Sequence, residues 1–192
     1  EAMTHKRKGM DTAPLRYSYI CPTLSQAKSV SWSYLVSFTA NIPNIVVNHS
    51  ELKITFPNRS EIRLFSGENY ERMRGLYFDG VVSDEDDDIP QSAFTYVILP
   101  CLLDYKGWHI RMGTPKGRSN LYKSLQAAKE KPQDSYGLVL KASETGIVSE
   151  DDLGEIRAKI GEDAYSQEME CNFDVPRAGA IYSKEINEAR DQ

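Results

Sequence analysis

The chain has 192 residues, 40% hydrophobic and 27% charged, which is enough for a domain with a real core. No stretch reaches the ~18 apolar residues of a membrane span, and the polar opening EAMTHKRKGM has no apolar secretion core. A net charge of -5 argues against a uniformly basic nucleic-acid binder, although base gathers at His5 to Lys8 and over 106–131, and acid at Asp84 to Asp88 and over 150–170.

Arg16 to Ile20 is a β-prone run that ends at Cys21-Pro22. Ser25 to Phe38 predicts a helix with Ala27, Val30, Tyr34, Leu35 and Phe38 on its apolar face. Its aromatic residues Trp32, Tyr34 and Phe38 read as core rather than as base-stacking groups. Three short strands follow, Ile45 to Val47, Leu52 to Phe56 and Ile62 to Phe65, two of them a hairpin. An apolar run from Leu76 ends in a strand, Gly80 to Ser83, directly before acid. Gln91 to Leu103 predicts a helix with Pro90 in its first turn. Trp108 to Met112 predicts a strand that ends at Gly113-Thr114-Pro115. Ser119 to Lys129 predicts a helix capped by Ser119, and Tyr136 to Lys141 a further strand. Ser149-Glu150-Asp151-Asp152 opens a helix to Ile160 with a capping box and an acidic first turn. Glu162 to Cys171 predicts a last short helix. Strands alternating with helices imply an α/β fold with a largely parallel sheet, the 45–65 region forming an antiparallel edge.

Cys21, Cys101 and Cys171 are odd in number and form no CxxC pair, so they read as reduced thiols rather than a disulfide or zinc framework. His5, His49 and His109 are scattered without a ligand pattern.

The chemistry concentrates where the strand ending at Ser83 meets Asp84-Glu85. Open α/β sheets put their ligands at the carboxyl ends of strands. A carboxylate there suits a hard cation such as Mg²⁺, and a second one suits the polarising of an attacking water. A solvated acidic loop over Asp84 to Asp88 is the competing reading. Gly113-Thr114-Pro115 ends the next strand and offers a small residue, a hydroxyl and a rigid proline; a plain strand-to-loop turn would serve equally. Lys116 and Arg118 follow at once, and with Lys123 they are candidate contacts to DNA phosphates.

Taken in order, these segments resemble the terminase large subunit of tailed bacteriophages, a DNA-packaging motor. The resemblance is carried by Ile20-Cys-Pro-Thr23, Gln26-Ala-Lys28, Arg63-Leu-Phe65, the run Arg74 to Glu85, Gly107-Trp108, Gly113 to Arg118, Ala142 to Gly146, Tyr165 to Phe173 and Gly179-Ala-Ile-Tyr182. It covers roughly residues 16–183 and implies a P-loop NTPase fold of the RecA-like (ASCE) kind, a mostly parallel sheet flanked by helices. It implies ATP and Mg²⁺ as cofactors, with Asp84 at the Mg²⁺ position and Glu85 as the catalytic glutamate. Gly113, Thr114 and Pro115 fall on the coupling motif. Arg74 falls near an arginine that reaches the neighbouring subunit's nucleotide, with Arg72 competing for that role. The implied partners are double-stranded DNA, a portal protein, the terminase small subunit and further copies in a homo-oligomeric ring, in the host cytoplasm and without a membrane.

Two departures matter. No GxxxxGK[ST] run occurs in the 192 residues, so the resemblance implies an ATPase domain over 1–172 that lacks the N-terminal phosphate-loop strand and helix and is inactive alone. Residues 173–192 then form a linker or the start of a C-terminal nuclease domain, itself absent. Asp86, Asp87 and Asp88 also replace the aromatic and small residues common after the acid pair, and are expected either to raise the pKa of Glu85 or to face water. A helicase-type or other DNA-translocating ATPase, or a truncated non-enzymatic prophage remnant, is the alternative.

Overall fold

The sheet is laid around Arg16–Cys21, strand β1, which pairs on both sides with parallel neighbours. The structure is a computed structural model and describes Ala2 and residues 13–175. It divides after Met112 into two units.

The first unit holds a six-stranded sheet in the order β2-β3-β4-β1-β5-β6. The remaining strands are β2 (Val46–Asn48), β3 (Lys53–Thr55), β4 (Glu61–Ser66), β5 (Gly80–Ser83) and β6 (Trp108–Arg111). β4, β1, β5 and β6 run parallel, with Ile20 opposite Phe65 on one side and Ser83 on the other. β2 and β3 add antiparallel pairs at the β4 edge, because connections as short as residues 49–52 and 56–60 cannot make a parallel crossover. This is the expected α/β arrangement with its antiparallel edge.

Period-two alternation sends neighbours on one strand to opposite layers. On β1, Ile20 joins a buried cluster with Phe78, Val81 and Val97, while Tyr17 and Cys21 join another with Trp32 and Ile54. A helix covers each cluster. Helix α1, residues 24–39, starts at a Thr23 capping box and widens into π turns at Ala27–Trp32 before returning to α geometry at Ser33–Thr39. The widening corrects the predicted apolar face. Ala27 and Trp32, five residues apart, are both buried, whereas Val30, Tyr34 and Phe38 are largely exposed. A π turn adds a residue to each revolution and rotates the stripe that a 3.6-residue period predicts. Trp32 is therefore core and donates to His49 Nδ1 at 3.1 Å, but Tyr34 and Phe38 stack on each other at the surface.

Helix α2, residues 91–103, covers the other face and also contains π turns, at Phe94–Ile98. Pro100 sits two residues beyond them, where it has no N–H to return to the preceding turn. Cys101 is buried in this helix, and all three cysteines are free thiols.

The second unit is helical among its described residues. Its helices are α3 (Asn120–Glu130), α4 (Ala142–Thr145), α5 (Glu150–Ile160) and α6 (Glu162–Glu168). Ser149 caps α5 as expected, accepting from the Asp152 N–H at 3.2 Å while its hydroxyl donates to the Asp152 carboxylate at 2.6 Å. The strand expected over Tyr136 to Lys141 does not form. Tyr136, Leu138 and Leu140 alternate as a strand would, but they are largely exposed, and the described part of this unit offers no strand to pair with. Gly137 instead lies against α3, close enough that a Cβ there would meet Leu125 at 2.6 Å. No helix among the described residues is long and apolar enough to cross a membrane.

Candidate active site

Gly80 sets the start of β5. A Cβ there would meet the Trp108 indole at 2.3 Å, so the missing side chain lets the ring lie over the strand, where it also meets the Tyr17 ring at a tilt, 5.9 Å between centroids. Three pairs later, Ser83 faces Arg111 across the β5–β6 ladder. Ser83 is fully buried, and its hydroxyl shares a 2.8 Å hydrogen bond with His109 Nε2.

Asp84 and Glu85 follow directly at the carboxyl end of this parallel ladder. The Asp84 N–H donates to Ile20 O on β1 at 2.8 Å. Both carboxylate oxygens of Asp84 are engaged: Oδ2 accepts from the Tyr19 hydroxyl at 2.6 Å and Oδ1 from the Glu85 N–H at 3.1 Å. Burial, and then donation to Asp84, push the Tyr19 phenol up to about 12, so it stays a donor throughout the physiological range. Glu85 has φ 50° and ψ 49°, the left-handed region. For a residue with a Cβ this costs on the order of 1–2 kcal/mol. Such strain persists where the surroundings over-determine the conformation.

Asp86 corrects the picture of three water-facing acids. It is only 4% exposed. Its Oδ2 accepts from Arg111 Nε at 2.9 Å and Nη2 at 2.5 Å, and its N–H donates to Met112 O at 3.0 Å. An acid beside Glu85 is thus matched by a cation from the next strand rather than adding to local repulsion. Asp87 is half-buried and Asp88 exposed. Phe94 of α2 completes the layer, with Arg111 over its ring at 4.8 Å and His109 stacked at 5.6 Å.

Burial, with the Arg111 charge added, pushes His109 down to about 4 from its ordinary 6.5. Between those values the unfolded chain takes up a proton that the folded chain refuses. The contribution is complete above pH 6.5 and is lost as pH falls toward 4. Lowering the pH from 7 to 4.5 should therefore cost the wild type about 2 kcal/mol more than His109→Gln. Urea unfolding of the two proteins at both pH values measures this, and parallel pH slopes would refute it.

Other predicted residues lie elsewhere. Arg74 is exposed and forms a two-pronged ion pair with Glu71, at 2.7 and 3.0 Å. Arg72 is exposed nearby. Gly113, Thr114 and Pro115 follow β6 in the chain and open the second unit, where they are exposed, half-buried and buried respectively. Within that unit Arg118 is ion-paired with Asp174 at 2.8 Å and lies over the Tyr122 ring, Lys116 is half-buried and Lys123 is exposed on α3. The basic run His5 to Lys8 and the Gly179 to Tyr182 segment lie outside the described residues.

Sequence reasoning missed Tyr19 and Arg111. Tyr19 carried one usable signal, a polar tip on a strand that ends level with the acid pair. Arg111 carried a weaker one, a single cation closing an otherwise neutral strand. Among the described residues no group of three or more His, Cys, Asp or Glu side chains could hold a metal by itself. A single oriented carboxylate fits Mg²⁺ that arrives with phosphate oxygens and keeps its waters, not a resident ion in a protein cage.

No protein-family model matches the chain, and neither does any curated protein. Solved structures do match in fold. The large-terminase ATPase domain of a Thermus phage aligns with a TM-score of 0.61 at 21% identity, covering 83% of this chain and 76% of that one. The large terminase of a thermophilic bacteriophage, in complex with ADP, aligns with a TM-score of 0.67 at 11% identity, over 90% of this chain and 42% of that one. The HK97 bacteriophage large terminase aligns with a TM-score of 0.59 at 15% identity, over 93% and 36%. The chain thus spans about two fifths of these two large terminases and has the α/β fold of terminase ATPase domains.

Proposed function

We propose that this chain is the hydrolytic part of a P-loop-type ATPase of the viral packaging kind, a motor that couples ATP hydrolysis to translocation of double-stranded DNA into a procapsid. One observation carries the reading. Asp84-Glu85 sits at the carboxyl end of β5, between two parallel neighbours, with the Asp84 carboxylate oriented by Tyr19. In an α/β sheet this is the ligand-binding end, and the shared fold with terminase ATPase domains supports the choice of nucleotide.

Mg²⁺ bound with ATP would supply charge neutralisation to the transferring phosphoryl group. Asp84 would hold it, with the Tyr19 O–H fixing the carboxylate so that no reorientation is needed on binding. Glu85 would accept a hydrogen bond from the attacking water and take its proton as the water oxygen bonds to the γ-phosphorus and the bond from that phosphorus to the ADP leaving oxygen breaks. Gly113, Thr114 and Pro115 take the coupling role in this reading, and Arg74 the role of an arginine offered to an adjacent subunit. Lys116, Arg118 and Lys123 are DNA contacts, to which Arg118 would come by exchanging Asp174 for phosphate. The portal protein and the small subunit are the further partners.

The 192 residues contain no GxxxxGK[ST] run, so in this reading the triphosphate cradle of backbone N–H groups and lysine would come from outside them. Calorimetric titration of the chain by itself with Mg-ATP should therefore show no micromolar affinity. The full-length protein should bind and hydrolyse ATP. Micromolar affinity of the 192 residues alone, or a full-length protein without Mg-ATP hydrolysis, would overturn the proposal.

A further inference from the structure

We infer that the Asp86–Arg111 ion pair is a positioning device for Glu85, holding its carboxylate at the working angle by tying the residue after it to β6. The inference rests on the reading of Glu85 as the group that takes the water's proton, and it assigns Asp86 and Arg111 roles as positioning residues, not catalytic ones.

Glu85 lies between two anchored neighbours. Asp84 is fastened toward β1, through its N–H to Ile20 O and its carboxylate to the Tyr19 hydroxyl. Asp86 is fastened toward β6, through its N–H to Met112 O and its carboxylate to Arg111. β1 and β6 flank β5 on opposite sides, so residue 85 crosses the tip of β5 under restraint from both directions. That restraint explains how a glutamate stays in the left-handed region at φ 50°. Without it, the clash of Cβ with the following carbonyl favours relaxation to ordinary negative φ. Relaxation would swing the Cα–Cβ bond to another side of the chain, and the carboxylate with it.

The pair is built for this duty. Two N–H groups of Arg111 converge on one Asp86 oxygen, and the guanidinium lies on the Phe94 ring, so its plane has little freedom. Arg111 is also the last residue of β6, one bond short of Met112, whose carbonyl receives the Asp86 N–H. A shift of the β6 end would therefore be felt at Glu85 through two connections at once.

The test uses steady-state Mg-ATP hydrolysis by the full-length protein carrying Asp86→Leu together with Arg111→Met, each read with Glu85 present and with Glu85→Gln. Removing both charges leaves no buried ion alone, so the paired variant folds, and a thermal melt checks that. With Glu85 present, kcat should fall ~10–100-fold while KM for ATP stays within about two-fold, as expected for a misplaced reacting group. On the Glu85→Gln background the same pair should change kcat by less than about two-fold, because nothing remains for it to position. Equal losses on both backgrounds, or no loss with Glu85 present, would overturn the inference. Unchanged turnover in Glu85→Gln alone would instead remove the ATPase reading on which it stands.

Discussion

Glu85→Gln in the full-length protein is expected to lower ATP turnover by ~10²–10⁴-fold, the usual worth of a positioned general base. The substitution keeps the side chain's length, and removes its negative charge and with it the ability to take a proton. Asp84 keeps both hydrogen-bond partners, since the one on Oδ1 is the residue-85 backbone N–H rather than its side chain. Nucleotide affinity should accordingly stay within a few-fold of wild type, and the loss should appear in kcat. Single-turnover hydrolysis with equilibrium binding of a fluorescent nucleotide separates the two. A variant that hydrolyses at the wild-type rate, or one that fails only because it no longer binds, would sink the assignment of Glu85.

Arg111→Met alone should be the most damaging change to stability, at about 3–5 kcal/mol. It leaves the Asp86 carboxylate, 5% exposed as a side chain, without its countercharge. The dominant cost is the uncompensated ion, not the lost attraction. Adding Asp86→Leu should then restore most of the lost stability, since an apolar pair of similar volume avoids both desolvation penalties. Methionine keeps a contact with the Phe94 ring in either case. Chemical denaturation of the single and double variants gives the comparison. A double variant as weak as the single one would mean that Arg111 matters through packing rather than charge.

The sequence was most legible where one physical rule governed an element. β1, β4, β5 and β6 are runs bounded by turn residues, and Ser149 announces α5 through its hydroxyl and the acids behind it. The acid pair after β5 was legible for a related reason: carboxylates directly past a buried strand are costly unless something uses them. It failed where two rules competed. Val30, Tyr34 and Phe38 fit a helical stripe, but the π turns at Ala27–Trp32 turned that stripe outward. Tyr136, Leu138 and Leu140 fit a strand, but a strand also needs a neighbour. Asp86 looked like one of three equivalent acids, and only the arrival of Arg111, 25 positions later in the chain, separates it from Asp88. Long-range pairing of charges leaves no local mark in a sequence, so the parts that orient the candidate site were the least readable ones.

The left-handed turn at residue 85 sets survival and work against each other. A glycine there would adopt the same conformation without the clash that a glutamate endures, but it would bring no acid to the water. A library selected only for endurance of heat should drift toward glycine or asparagine at this position, and its winners should be robust and idle.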